Sequence, residues 1–344
     1  MNHPPTEGYV MDIDSHRFDN PGINFRRFRG ETDYHALAEV LTASSRADQE
    51  ERTVTAENIA DVFRNALSNC DPTKDMIIAE VDGGMVGYAR GWWDEESLGN
   101  FLYKHNCFLK AGWRGKGIEH VMIGWVEKRL REVSKDHMKE NTKFFQVSIS
   151  QHQGWLETIL LDQGYQPKRY YYLMVRPTLE DLPDFPLPEG LETRPVKENQ
   201  LRVIWNLIQS TDKASLLSEE KNEQAYREWL TQPRFQPNLW QIAWDKKKDL
   251  PIGYVLTYIE QEENRQYKRK RGYTEGIGVL PKWRRQGLAR ALISLSLKAQ
   301  KEAGMKESAL VAESDSVFKV TKLYESCGFQ IVNQDTIYQK PLET

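Results

Sequence analysis

Leu288, Ala291, Leu292, Leu295 and Ala299 fall three or four positions apart, the spacing of one apolar face of an α-helix. A helix over 287–303 is therefore predicted, with Gly304 as its stop. The same reasoning predicts helices over 33–44, 56–67, 200–210 and 218–229. Short apolar stretches read as strands: Phe25-Arg26-Arg27-Phe28, Val86-Gly87-Tyr88, Thr193-Arg194-Pro195-Val196, Ile252-Gly253-Tyr254 and the run leading to Val279. Each half of the chain thus reads as a strand, one or two helices, several strands, a basic turn, a helix, a strand, a helix and a final strand. Helices interleaved with strands on this scale predict an α/β (α+β) layered domain with a mixed sheet.

The two halves line up. Phe25-Arg26-Arg27-Phe28 matches Thr193-Arg194-Pro195-Val196, Val86-Gly87-Tyr88 matches Ile252-Gly253-Tyr254, Arg114-Gly115-Lys116-Gly117 matches Arg284-Arg285-Gln286-Gly287, and Gly164-Tyr165 matches Gly328-Phe329. All four pairs are displaced by between 164 and 170 positions, which is the mark of an internal repeat. The prolines at 177, 183, 186 and 188 block helix and central strand alike, so 177–190 reads as a linker. The expected organisation is an N-terminal arm (1–22), a first domain (23–176), the linker (177–190) and a second domain (191–344).

Length and composition agree with that division. At 344 residues the chain exceeds one typical core, and 39% hydrophobic with 28% charged residues suits a globular protein. The 47 basic residues are matched by 50 acidic ones, so a nonspecific nucleic-acid binder is not expected. Three cysteines without paired spacing fit a reducing compartment and no zinc site. The first 22 residues carry no apolar leader and no run of about 18 apolar residues occurs, so the chain is expected to be cytoplasmic, without membrane or metal.

Chemistry concentrates in the stretch Gly278-Val279-Leu280-Pro281-Lys282-Trp283-Arg284-Arg285-Gln286-Gly287-Leu288-Ala289-Arg290. An apolar strand runs through a basic turn into a helix, which aims a row of backbone N–H groups at one spot, and Gly287 lets an anion come close. The pattern R-x-x-G-x-A resembles the acyl-CoA pyrophosphate loop of the GNAT acetyltransferase superfamily. Leu323-Tyr324-Glu325-Ser326-Cys327-Gly328-Phe329 resembles that family's second signature, and the two occur in the family's order.

The resemblance covers about residues 23–342 as a tandem GNAT protein. It implies mostly antiparallel sheets, acetyl-CoA as donor, and a pantetheine arm laid against the backbone of Ile277 and Val279. The diphosphate would lie on Arg284, Arg285, Gln286, Gly287, Leu288, Ala289 and Arg290. Tyr324 is the acid expected beside the leaving sulfur, and the asparagine that relatives carry seven residues earlier is Val317 here, with Ser314 and Ser316 as substitutes.

All seven histidines lie in the first half, so the second domain has no histidine for the base that an amine acceptor needs. A carboxylate or water remains. Glu275 stands nine residues before Arg284, and burial would raise its pKa toward the working range; a solvated strand glutamate is the competing reading. In the first domain the position of Ala289 is Glu119 and that of Tyr324 is Leu160, so the first domain is expected to be degenerate and poor at binding CoA. The basic run Lys268-Arg269-Lys270-Arg271 reads as a solvated hairpin tip, with attraction of the CoA 3′-phosphate as the alternative. Most of the ten tryptophans are expected in core or interface, and Cys327 as a buried inert thiol.

The expected activity is acetyl transfer to a primary amine of a small molecule in the second domain of a monomer. A peptide or protein N-acetyltransferase, a non-catalytic CoA-binding scaffold, and transfer of a longer acyl group remain open.

Overall fold

The computed structural model describes residues 22–50, 52, 54–96, 99–138, 141–211, 219–314 and 321–343. The expected arm, except residue 22, together with Ser316 and Val317, lies outside them. Two units divide the chain: Glu95–Leu102 with Asn141–Pro341 form one, and the remaining described residues the other.

The unit that opens the chain holds β1 (Ile23–Arg26), α1 (Tyr34–Ala47), α2 (Ala56–Asn65), α3 (Pro72–Asp75), β2 (Met76–Val81), most of β3 (Gly84–Glu95) and β4 (Phe101–Leu109), and α4 (Ile118–Ser134). Strands β1, β2 and β3 pair antiparallel. Thr55 opens α2 through a reciprocal cap with Asn58. Leu37, Val40, Ile59, Met76, Ile78 and Tyr88 build the core beneath these helices.

The other unit contains β5 (Lys143–Ser150), α5 (Gly154–Asp162), β6 (Gln166–Arg176), β7 (Leu191–Thr193), α6 (Leu201–Thr211), α7 (Glu219–Leu230), β8 (Gln241–Asp245), β9 (Leu250–Tyr258), α8 (Gln261–Gln266), β10 (Arg271–Val279), α9 (Leu288–Glu302), β11 (Glu307–Ser314), α10 (Thr321–Glu325) and β12 (Gln330–Pro341). Its strands lie in the order β5-β12-β6-β11-β10-β9-β8-β7. Only the β10–β11 pair is parallel; the rest are antiparallel. The mixed, mostly antiparallel sheet flanked by helices is the architecture the sequence implied.

The repeats exchange their last strands within this unit. β6 closes the first repeat in sequence, yet it lies between β11 and β12 of the second, while β12 lies between β5 and β6. Residues 141–176 therefore belong to the first repeat by sequence and to the second unit in space. The proline-rich segment forms no helix or strand, and it is packed rather than loose. Leu179 is buried with its N–H on the Lys306 carbonyl at 3.0 Å, and Leu182, Phe185 and Leu187 cover the same core.

Two expectations need correcting. The first strand of the second repeat ends at Thr193, because Pro195 has no N–H to donate to a ladder. The buried face of α9 also differs. Leu295 and Ala299 are only half-buried, whereas Ser294, Ser296 and Gln300 are buried with Leu288, Ala291, Leu292, Ile293 and Leu297. Ser296 and Gln300 can go inside because Thr257, Thr274 and Ser308 meet them there: Thr257 to Ser296 is 2.7 Å, Thr274 to Ser308 is 2.9 Å, and the Gln300 amide donates to Thr274 at 2.7 Å. Polar groups bonded to one another this way leave no trace in an apolar periodicity, although the Gln300 Oε1 is left without a partner.

Candidate active site

The basic turn is a built feature of the backbone. β10 ends at Val279, a short 3₁₀ turn covers Pro281–Trp283, and the Nε of Arg284 donates back to the Val279 carbonyl at 2.9 Å, tying turn to strand. Gln286 closes the loop through its side-chain amide on the Lys282 carbonyl, also at 2.9 Å. Gly287 then caps α9 with φ +83°, a left-handed conformation that costs an L-residue but not glycine. A Cβ there would meet nothing within 4 Å, so the face above the turn is open.

The first amides of α9, beyond Gly287, have no acceptor one turn back, and the helix dipole adds positive potential. Arg284, Arg285 and Arg290 form no ion pair with any described residue, unlike most arginines of this chain. The residues present therefore fit a diphosphate: helix-start amides, cationic side chains without an ion-pair partner among the described residues, and space.

Directly before the turn the sheet comes apart. β10 pairs with β11 only from Arg271 to Tyr273, opposite Glu307 to Ala309, while β10 continues along β9 to Val279 and β11 continues along β6 to Ser314. A bulge between Glu275 and Ile277 helps β10 turn away. The edge of β10 that carries Ile277 and Val279 thus has no strand partner among the described residues, and it leads to the Gly287 turn.

Glu275 stands at this parting point, half-buried on β10. Its carboxylate accepts the Tyr258 hydroxyl at 3.1 Å and the Val311 amide of β11, so it bridges the two diverging strands. Desolvation raises its pKa above the usual carboxylate range, against the pull of Tyr258 and the Arg234 guanidinium, with nearby Glu263 adding to the rise. Tyr258 stacks on Tyr273 with ring centroids 4.9 Å apart.

Tyr324 lies on α10, half-buried, and packs on the same apolar cluster as Ile277, Val279, Leu288, Ala289 and Trp283. Strand, turn and tyrosine are therefore brought together by one core. Its hydroxyl has no hydrogen-bond partner among the described residues, and burial raises its pKa. Cys327 is fully buried and its thiol is pushed up by desolvation, as expected of an inert packing residue.

Sequence reasoning missed Tyr258, the Val311 amide and Arg176. The first two depend on strand register, which no local pattern announces. The basic run is largely neutralised in place: Arg269 pairs with Glu263, and Arg271 with Glu307 at 2.8 Å. Trp205, Trp229, Trp240 and Trp244 are buried in one aromatic core between α6, α7 and the sheet, as expected. Among the described residues no group of three or more His, Cys, Asp or Glu could hold a metal ion, and no helix is long and apolar enough to cross a membrane.

The described architecture is a mixed sheet whose parallel pair parts before a glycine-capped turn. Residues 202–329 match the model of the acetyltransferase (GNAT) family. That match lies within the second repeat.

Among curated relatives, mycothiol acetyltransferase of Geodermatophilus obscurus is 24% identical over 263 residues, 74% of this chain and 79% of the relative. That of Propionibacterium freudenreichii is 25% identical over 181 residues, 51% of this chain, and the match spans about half the relative's length (54%). Two solved structures share the fold. A GCN5-related N-acetyltransferase from Sphaerobacter thermophilus has TM-score 0.73 at 20% identity, covering 94% of this chain and 96% of the other. A tandem GNAT protein from the clavulanic acid biosynthesis pathway has TM-score 0.63 at 11% identity, covering 94% and 99%.

Proposed function

We propose that the chain transfers an acetyl group from acetyl-CoA to the primary amine of a small molecule, by direct attack in a ternary complex, at the turn of the second repeat. The observation that carries this reading is the separation of β10 from β11 immediately before the Gly287 turn. The unpaired edge at Ile277 and Val279 offers N–H and C=O groups to an amide-bearing pantetheine arm, as an added strand would be bound. That edge leads to the amides of Gly287, Leu288, Ala289 and Arg290, where Arg284 and Arg285 supply further positive charge to a diphosphate. Bound acetyl-CoA supplies an activated acyl carbon and a thiol leaving group.

The chain's own groups handle the protons. Glu275, held at the parting point with a raised pKa, accepts the proton of the amine as nitrogen bonds to the acyl carbon. Tyr324 donates its phenolic proton to the departing sulfur as the carbon–sulfur bond breaks, and water returns a proton from Glu275 to it. The names of the curated relatives and the tandem layout of a structural neighbour support acyl transfer to a compact acceptor. The first repeat carries buried Leu160 in place of Tyr324 and cannot supply that acid. The protein acts as a cytoplasmic monomer.

The test is release of free CoA thiol from acetyl-CoA, recorded across a panel of small amines and short peptides. Amine-dependent release with small acceptors supports the reading. Background release throughout, with CoA still bound, favours a scaffold, and release with peptides alone favours a peptide acceptor.

A further inference from the structure

The two repeats build the same loop backbone. Gly117 caps α4 with φ +85° and ψ −7°, and Gly287 caps α9 with φ +83° and ψ −6°. Arg114 and Arg284 share φ −69°, with ψ 150° and 156°. Residues 115 and 285 are both left-handed, at φ 72° and 62°. Each arginine ties its Nε to the last carbonyl of the preceding strand, Leu109 at 3.1 Å in one case and Val279 at 2.9 Å in the other. The anion-binding backbone is therefore intact in the first repeat.

What differs is what faces it. The guanidinium fork of Arg114 is engaged by Asp48 at 2.6 and 3.0 Å and by the Ser44 hydroxyl at 3.0 Å, so its charge is already paired within the first repeat. Where the second repeat has Ala289, the first has Glu119. This side chain is 2% exposed and folds back over the loop, with Oε1 accepting the Gly115 N–H at 2.7 Å. Its Oε2 is buried without a hydrogen-bond partner.

An acid that merely caps a helix accepts amides from inside the first turn. Glu119 instead reaches outside α4, to the amide of the left-handed loop residue. A buried carboxylate with one idle oxygen is costly, and it is tolerated where loop amides and a helix N-terminus supply positive potential. Those are the same groups that, in the second repeat, stand open above Gly287.

We propose that Glu119 is an internal ligand of the first repeat's anion loop: its carboxylate takes the place of a phosphate, so the chain closes one of its two diphosphate sites itself. The inference rests on the reading of the second loop as a CoA site, and it predicts that the difference between an open and a closed site is carried by one side chain at this position.

The experiment is isothermal titration of coenzyme A into the full chain, with thermal melting as the check on folding. The wild-type protein is expected to bind one equivalent and Glu119→Ala two. Ala289→Glu, which places the same carboxylate at the same turn of the second repeat, is expected to bind none. Wild type binding two, a folded Glu119→Ala staying at one, or Ala289→Glu keeping its site with unchanged affinity each overturns the proposal. If Glu119→Ala fails to melt cooperatively, the Ala289→Glu arm decides alone. Should wild type bind none while Glu119→Ala gains one equivalent, the internal ligand stands and the reading of the second loop falls.

Discussion

Arg176 donates its Nη1 to the carbonyl of Cys327 at 2.7 Å, and through this bond the last strand of the first repeat holds the turn that follows Tyr324 in the second. The same guanidinium reaches the Asp181 carbonyl. Cys327 in turn donates its N–H to the Tyr324 carbonyl at 2.9 Å, so the tyrosine's main chain is fixed two bonds away from Arg176. Gly328 makes this possible twice over: it takes φ +85°, and a Cβ on it would stand 1.6 Å from Nη1. Gly328→Ala is expected to cost at least about 2 kcal/mol, from left-handed strain and overpacking together. In an Arg176→Ala background the same change is expected to cost less, with a coupling of about 1 kcal/mol or more in a denaturation double-mutant cycle.

Glu275 links activity and stability with opposite signs. As the proposed base it must be deprotonated, so kcat/KM is expected to fall on the acid side of its raised pKa, and that limb should lie above the ordinary carboxylate range. Glu275→Gln should lower kcat/KM and remove the limb. Stability runs the other way. A carboxyl whose folded pKa is raised contributes stability that is present below the unfolded pKa and lost as pH rises through the folded one. Glu275→Gln is therefore expected to melt higher than wild type at pH 8, with the gap closing toward pH 4.

In the proposed mechanism Tyr324 serves the leaving sulfur. Tyr324→Phe keeps the ring that packs on the core and removes only the proton. It should lower kcat between about 10²- and 10⁴-fold while leaving CoA affinity within a few-fold. Steady-state kinetics beside a direct binding measurement separate the two.

The hydroxyl network under β9 and β10 is fully enclosed. Thr257→Val keeps the shape and deprives buried Ser296 of its 2.7 Å partner, at an expected cost of about 1–3 kcal/mol. Equilibrium urea unfolding checks this, and an unchanged midpoint would show that the network contributes nothing.

The backbone of the basic turn was legible because its requirements are local. A left-handed residue at 287, an arginine three positions before it and an apolar strand leading in can all be read from adjacent letters. Glu275 was legible as a position on that strand, and Leu160 and Glu119 as departures between two aligned copies. The partners of Glu275 were not, because Tyr258 and the Val311 amide arrive by strand register. Arg176 was not either, since it reaches Cys327 only through the exchange of β6 and β12 between repeats. Ser296 and Gln300 were missed for a third reason: buried polar groups bonded to one another look like surface in a one-dimensional pattern.

The central claim is that the amides following Trp283 bind the diphosphate of the donor. Amide hydrogen exchange with and without acetyl-CoA tests it most directly, because the groups said to bind are the groups observed. Slowed exchange confined to residues 286–291 and to the edge of β10 at 276–279 is the expected result. Protection at 115–121 instead, or no change at 286–291 under saturating acetyl-CoA, would contradict it.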